Sequence, residues 1–390
     1  MNKLKDVVIA GIGFTDVGEH WDQGLDDLFI NAAKDALKDS QIMDIEALYV
    51  GNMLGMFAGD QGHLGPYLAD KMSLGPIHAV SLDGACTSAG LAMSEAYWSV
   101  ASGRFESVLV GGVEKMSDMM TKKAVTGLSF AEDVWHMDFS GATFACLNAL
   151  TARLYMEKYK IKREQLLALA VQAHENGSKS KHAHFRKPIT MDKAINAPMI
   201  SDPLGLYDSS PISDGAAALV LISKETAKKR GLDYVEVIGS GVSTQVMSLH
   251  ERKDMLFFEA TYNASKKAFE QAKLMVNDID VMEIHDAFTI TGFLALEAMG
   301  FSKPGEATKL VSDGKTNLQG DIPINTFGGL KARGHPVGAT GIYQICELVL
   351  QLMGKAGNNQ VEKDLKYALS QCVGGVDSTS SVHILKAMEK

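Results

Sequence analysis

The chain has 390 residues, 46% of them hydrophobic and 22% charged, the balance of a globular protein with a large core and not of a disordered, collagenous or coiled-coil chain. At about 150 residues per domain, this length predicts two or three domains. Lys plus Arg total 38 and Asp plus Glu 47, a net charge of −9, which argues against nucleic acid as the main partner but leaves room for a phosphate-bearing small molecule held by a local patch.

The first residues, MNKLKDVVIAGIGF, combine two lysines with a short apolar run, and Asp16 and Glu19 follow closely. With no small-residue cleavage site, the run reads as a first buried strand (7–13) and not as a secretion signal. Helical periodicity follows over Leu25–Ser40. Strands are expected at Ala47–Gly51, Ile77–Leu82 and 107–112, with a long helix from Ser88 to Ser102 between the last two. Strands alternating with helices of this length imply a parallel sheet with right-handed crossovers. Residues 118–212 break the pattern. They carry helical stretches at Ala142–Tyr159 and Arg163–Lys179 and a polar run, KSKHAHFRKPIT (179–190), and read as a lobe inserted into the first half. SDGAAALVLIS (213–223) returns to strand character and completes the first sheet.

The rest of the chain repeats the opening plan. VVIAGIG (7–13) matches VEVIGSG (235–241), and NAAKDALKDSQIMDIEALYVGN (31–52) matches NASKKAFEQAKLMVNDIDVMEIHD (263–286). HAVSLDGACTSAGLAMSEAY (78–97) matches IPINTFGGLKARGHPVGATGIYQICELVL (322–350), and ESVLVGGVEKMS (106–117) matches KYALSQCVGGVDSTS (366–380). Four blocks in the same order point to a duplicated domain. The expected organisation is a first half at 1–117 plus 213–230, an inserted domain at 118–212, and a second half at 231–390.

Four cysteines stand at 86, 146, 346 and 372. No two have CxxC spacing, so neither a structural zinc site nor a disulfide framework is expected; the setting is read as reducing and cytoplasmic. No apolar run is long enough to cross a bilayer. Cys146 and Cys346 fall in helical patterns and read as core. Cys86, in SLDGACTSAG, follows a strand and precedes a helix of small residues. There the helix N-terminus favours a thiolate; the alternative is a buried, inert cysteine. In the second half the equivalent turn, GGLKARGHPVGATG, carries His335. A pseudo-twofold would bring Cys86 and His335 together as a base-activated thiol; the alternative is a plain glycine-rich turn. His285 (MEIHDAF) and Cys372 (SQCVGGV) lie at the ends of neighbouring strands, where open α/β sheets place ligands.

Taken together, DGACTSAG, VLVGGVEKMS, SDGAAALVL, HDAF, GGLKARGHPVGATG and CVGGV resemble the thiolase family over essentially the whole chain. The resemblance implies an α/β fold of two βαβαβαββ halves in a five-layer α-β-α-β-α core with an inserted loop domain. It also implies an acetyl-CoA C-acetyltransferase, with coenzyme A thioesters as substrates and no further cofactor or metal. Cys86 would accept the acyl group and His335 its proton. Cys372 would abstract the α-proton of a second acetyl-CoA, and His285 with His335 would steady the enolate. The backbone N–H groups of Cys86 and Gly374 would form an oxyanion hole. Two departures stand out. His285 replaces the asparagine of the commoner Asn-Glu-Ala-Phe motif, as in sterol-carrier-protein-type thiolases and their archaeal relatives, and Val376 replaces a glycine near the site. Ser210 and Phe288 are expected beside the substrate. Lys179, Lys181, His182, Arg186 and Lys187 would meet CoA phosphates, or else form a solvated loop.

The likeness to archaeal acetoacetyl-CoA thiolases further implies supply of acetoacetyl-CoA to the mevalonate route to isoprenoids. It implies a homodimer or dimer of dimers, and a complex with 3-hydroxy-3-methylglutaryl-CoA synthase through an OB-fold/zinc-ribbon protein that completes the CoA site. The rival readings are a longer-chain 3-ketoacyl-CoA thiolase, a decarboxylating ketoacyl synthase, which needs no thiol at Cys372, a metal site made from the two cysteines and two histidines, and a catalytically silent scaffold or lipid-binding relative.

Overall fold

The apolar runs at 7–14, 107–114 and 215–223 can be buried along their whole length only if both faces of their sheet are covered. The structure, a computed structural model describing residues 4–389 (except the Asp138 side chain), covers both faces. Residues 1–3 and 390, at the ends of the first and last expected segments, lie outside the described residues. The first half contributes strands β1 (Val7–Phe14), β2 (Ala47–Gly51), β3 (His78–Leu82), β4 (Ser107–Glu114) and β5 (Gly215–Ser223). The second half contributes β6 (Val235–Thr244), β7 (Val281–Glu283), β8 (Tyr367–Gly374) and β9 (Thr379–Ala387). Their spatial order is β3-β2-β4-β5-β1-β6-β9-β8-β7.

That order displays the duplication. Outward from the centre, the first half runs first, fifth, fourth, second, third strand, and the second half repeats the series. Its third strand is reduced to a single bridge, Met282 to Ile324. The halves meet where β1 pairs antiparallel with β6 (Val7 to Val237, Val8 to Glu236, Ile9 to Val235), so one sheet runs through both.

Helices supply the remaining layers. α1 (Leu25–Ser40) packs on the outer face of the first half. The central helices are α2 (Ser88–Ala101) and, from the second half, α7 (Thr340–Leu352). Each touches strands of both halves as well as the other. Their crossing is close: a Cβ on Gly341 would lie 2.7 Å from the Gly90 nitrogen. The small residues of both motifs are therefore a packing requirement. α3 (Phe144–Tyr159) and α4 (Arg163–Gly177) belong to the inserted lobe, and α5 (Glu259–Ala272) covers the outer face of the second half. α6 (Thr289–Ala298) follows β7. The inserted lobe packs on both halves: Met119 and Ala124 cluster with Leu54 and Cys86 of the first, and Ala152, Tyr155, Leu166 and Leu169 share an apolar core with Phe293 and Leu330 of the second. Among the described residues, no helix is long and apolar enough to cross a membrane.

Candidate active site

The seam between the halves opens at the N-terminal ends of α2 and α7. Cys86 sits just before α2, as its sequence suggested, in a 3₁₀ turn, Ala85–Thr87. Ala85 holds a left-handed φ of 54°, an expensive conformation for a residue with a Cβ. The surroundings enforce it: Asp83 accepts from the Ala85 N–H at 2.9 Å, and the Ser88 hydroxyl donates to the Ala85 carbonyl at 2.6 Å. Leu54, Met116, Met119 and Val337 pack with Cys86 in one apolar cluster.

The two histidines and the second cysteine converge on this turn. Cys372, near the end of β8, directs its Sγ at the Cys86 carbonyl oxygen, 3.3 Å away, and at His285 Nδ1, 3.4 Å away. His285 lies two residues beyond β7, the parallel neighbour of β8, and its N–H donates to Gln371 Oε1 at 3.0 Å. The His285 and His335 rings stand 5.1 Å apart and nearly perpendicular. All four residues are buried.

The hydrogen bonds of His335 assign its tautomer. Its Nδ1 lies 2.7 Å from the Thr340 hydroxyl oxygen, and that hydroxyl donates its one proton to the Pro336 carbonyl at 3.1 Å. With the hydroxyl proton on that carbonyl, Thr340 accepts and Nδ1 carries the hydrogen. The lone pair is on Nε2, a buried atom with no protein partner. His335 thus presents a free base to the site.

Burial dominates the electrostatics. It raises the Cys86 thiol well above its ordinary range, and the nearby Cys372 and Glu114 add to the effect; the Gly375 N–H and the residue's own N–H oppose it. Burial pushes Cys372 up to about 12, against the Thr87 hydroxyl and the charge of Arg333. His285 is driven down to about 3 by burial and then by Arg333 and Lys331. His335 is held well below its usual value by burial, by His285 and by the same two cations. Burial therefore favours neutral thiols and neutral imidazoles in the resting site, and works against the thiolate that the helix terminus favours at Cys86.

Several functional neighbours were missed in the sequence. Arg333 is fully buried, its guanidinium over the Tyr343 ring and its Nε 3.4 Å from Glu347. Lys331 donates to the Asp208 carbonyl at 2.6 Å. Both cations belong to the GGLKARGHP motif, two and four residues before His335, where that signal was available. Glu114 accepts from the N–H groups of Met53, Leu54 and Gly338, tying the His335 loop to the wall beside Cys86. Asp214, in the SDGAAALVL motif, accepts from the N–H groups of Met116 and Ser117. Two of the family's motifs are thus joined by one buried carboxylate.

The remaining candidates fare unevenly. Ser210 is brought to the end of β7, its N–H donating to Ala287 at 2.8 Å beside the buried Phe288. Gly374 packs hard on the Cys86 turn, where a Cβ would lie 2.1 Å from the Gly84 oxygen. The basic run does not converge. Arg186 pairs with Asp16 at 2.8 Å, Lys179 with Glu175 at 3.3 Å, and His182 is buried against Glu347 at 2.8 Å. Lys181 and Lys187 are exposed. Cys346 is core, but Cys146 is half-exposed on α3 and is not.

Residues 7–225 match the family model "Thiolase, N-terminal domain" and residues 241–387 match "Thiolase C-terminal domain-like". An acetyl-CoA acetyltransferase of Methanothermobacter thermautotrophicus is 40% identical over 383 residues, covering 98% of this chain and 99% of the relative. Human sterol carrier protein 2 is 30% identical over 393 residues, covering 95% of this chain and 70% of the relative. Among solved structures, the Ltp2-ChsH2(DUF35) aldolase superposes with a TM-score of 0.85 at 25% identity, covering 99% of this chain and 98% of that one. The chain belongs to the thiolase family and is an acyltransferase enzyme.

Proposed function

We propose that the chain is an acetyl-CoA C-acetyltransferase that interconverts two acetyl-CoA with acetoacetyl-CoA and CoA. One observation carries the reading: the Cys372 sulfur lies between the Cys86 carbonyl and His285, in a site whose His335 offers an unprotonated Nε2. In the acylation step, His335 Nε2 takes the Cys86 proton and the thiolate attacks the thioester carbon. The Cys86 and Gly374 N–H groups meet the developing oxyanion. As the carbon–sulfur bond to CoA breaks, Cys372 gives its proton to the departing thiolate. The site then holds acyl-Cys86, a protonated His335 and a Cys372 thiolate. That thiolate removes the α-proton of a second acetyl-CoA, and the enolate, facing the imidazolium, attacks acyl-Cys86. Expelled Cys86 thiolate recovers its proton from His335; Cys372 ends with the substrate α-proton in place of the one it gave to CoA, so each protein group returns to its starting state.

Leu54, Met116, Met119 and Val337 crowd Cys86, which favours a two-carbon acyl group over the longer-chain alternative. Thiolysis of 3-ketoacyl-CoA substrates of increasing length tests this. The four-carbon substrate gives the highest kcat/KM; a rise with chain length would overturn the assignment.

Condensation is uphill, so the reading includes a consumer of acetoacetyl-CoA, namely 3-hydroxy-3-methylglutaryl-CoA synthase in the mevalonate route. It also includes an OB-fold/zinc-ribbon partner that completes the CoA site. The dispersed cations of residues 179–187 support a CoA site incomplete in this chain alone, and Trp135 and Phe139, 90% and 94% exposed on the lobe, offer a surface for such a partner. The edge strand β3, with Ala79, Val80 and Leu82 half-exposed, would pair with a second copy in a homo-oligomer. Tight CoA binding by the isolated chain would contradict the partner reading.

A further inference from the structure

The turn after the second catalytic thiol is held by side chains from outside the catalytic set. β8 ends at Gly374 and β9 begins at Thr379. Between them Gly375 takes a left-handed φ of 65°, and Gly374 packs directly on the Cys86 turn. The next residue, Val376, stands where the resemblance led us to expect a third glycine, and is fully buried. Both of its backbone polar atoms are taken by charged side chains. Its N–H donates to Glu132 Oε1 at 2.6 Å, and its carbonyl accepts from Arg252 Nη1.

These two side chains come from different parts of the molecule. Glu132 belongs to the inserted lobe and is itself buried; Arg252 belongs to the loop after β6. The lobe sits directly on the turn: a Cβ on Gly375 would lie 2.5 Å from Glu132 Oε1 and 2.6 Å from the Ala131 oxygen. Flanking contacts fasten the same stretch to the Arg252 loop. Asp133 accepts from the Ser248 hydroxyl at 3.2 Å, and the His136 and His250 rings stack at 4.1 Å. Arg252 also donates to the carbonyls of Val246 and Met247. A peptide beside a left-handed glycine turns easily, so a fixed path for the turn packed on Cys86 needs both neighbouring atoms of Val376 to be held.

We infer that Glu132 and Arg252 are positioning residues that clamp Val376 from both sides, hold the Gly374–Gly375 turn against the Cys86 turn, and make a competent site depend on the seating of the inserted lobe. The inference rests on the reading of Cys86 as the acyl-accepting thiol. In place of a third glycine, the chain uses a buried valine whose backbone is gripped by an acid from one domain and a base from another.

The test compares Glu132→Ala with Glu132→Gln, whose amide oxygen still accepts from Val376. Two readouts are followed: acetoacetyl-CoA thiolysis, and iodoacetamide alkylation of Cys86 resolved by peptide mass spectrometry. Loss of one oxyanion donor costs about 10²–10³-fold in kcat; Glu132→Ala loses about 10²-fold, with KM changed by less than about threefold. Cys86 alkylation slows at every pH, because the turn packed on Cys86 is no longer held in place. Glu132→Gln recovers most of both readouts. If Glu132→Ala does not fold, Arg252→Met opens the other side of the clamp and gives the same pattern. Wild-type kcat and alkylation in the alanine variant, or equal impairment of the alanine and glutamine variants, would overturn the inference. If the wild-type chain showed no thiolysis, the proposed function would fail, and the alkylation series would still decide the clamp.

Discussion

Thr340 is the residue through which the account of His335 can be tested most sharply. Its hydroxyl accepts from His335 Nδ1 at 2.7 Å, and neither residue has appreciable access to water. Replacement by valine keeps the shape and removes the acceptor. A buried donor left without a partner costs about 1–3 kcal/mol, and that cost falls on the tautomer with hydrogen on Nδ1. At about 1.4 kcal/mol per factor of ten, the catalytic tautomer becomes roughly fivefold to 150-fold less favoured. Thr340→Val should therefore lower kcat/KM for acetoacetyl-CoA thiolysis within that range, while Thr340→Ser, which keeps the hydroxyl, stays close to wild type. Circular dichroism and thermal melting establish that both variants fold. A valine variant within twofold of wild type, or a serine variant as impaired as the valine one, would refute the tautomer assignment.

Two further outcomes follow. Gly374→Ala would bring a Cβ to 2.1 Å from the Gly84 backbone oxygen. Since backbone must move, it should destabilise the fold by about 3 kcal/mol or more, seen as a large fall in Tm; an unchanged Tm would contradict the close approach of the two turns. The pH behaviour follows from burial. Neutral thiols and imidazoles are favoured, so the thiols ionise only as pH rises above their usual range, and His285 charges only as pH falls through about 3. In the free enzyme, Cys86 alkylation should climb continuously from pH 6 to 10, and kcat/KM should show no limb near pH 6.5; an alkylation midpoint below about 8.5 would restore the standing thiolate.

Much of this arrangement was legible because it is local or repeated. The strand at 7–14 and α1 are apolar runs with clear periods. The duplicated blocks foretold a symmetric core whose two central turns face each other. The rest depends on contacts between distant segments. Cys86 and the start of α2 suggested a stabilised thiolate, because a helix terminus is visible in sequence. The desolvation that opposes this comes from Leu54, Met116 and Val337, up to 251 positions away. Likewise, 179–190 is polar in composition, yet His182 is buried because Glu347 of α7 accepts it. Cys146 lies in an apolar helical pattern, but α3 turns it partly outward. The third strand of the second half shrinks to one bridge, although its block aligns with β3.

The central claim is a division of labour between two thiols, with Cys86 carrying the acyl group and Cys372 moving the proton. The most direct measurement is intact and peptide mass spectrometry of Cys372→Ser after mixing with acetoacetyl-CoA and CoA, alongside the thiolysis rate. The account predicts a single acetyl group accumulating on Cys86 with turnover abolished. Cys86 left unmodified, or wild-type turnover without the second thiol, would contradict it.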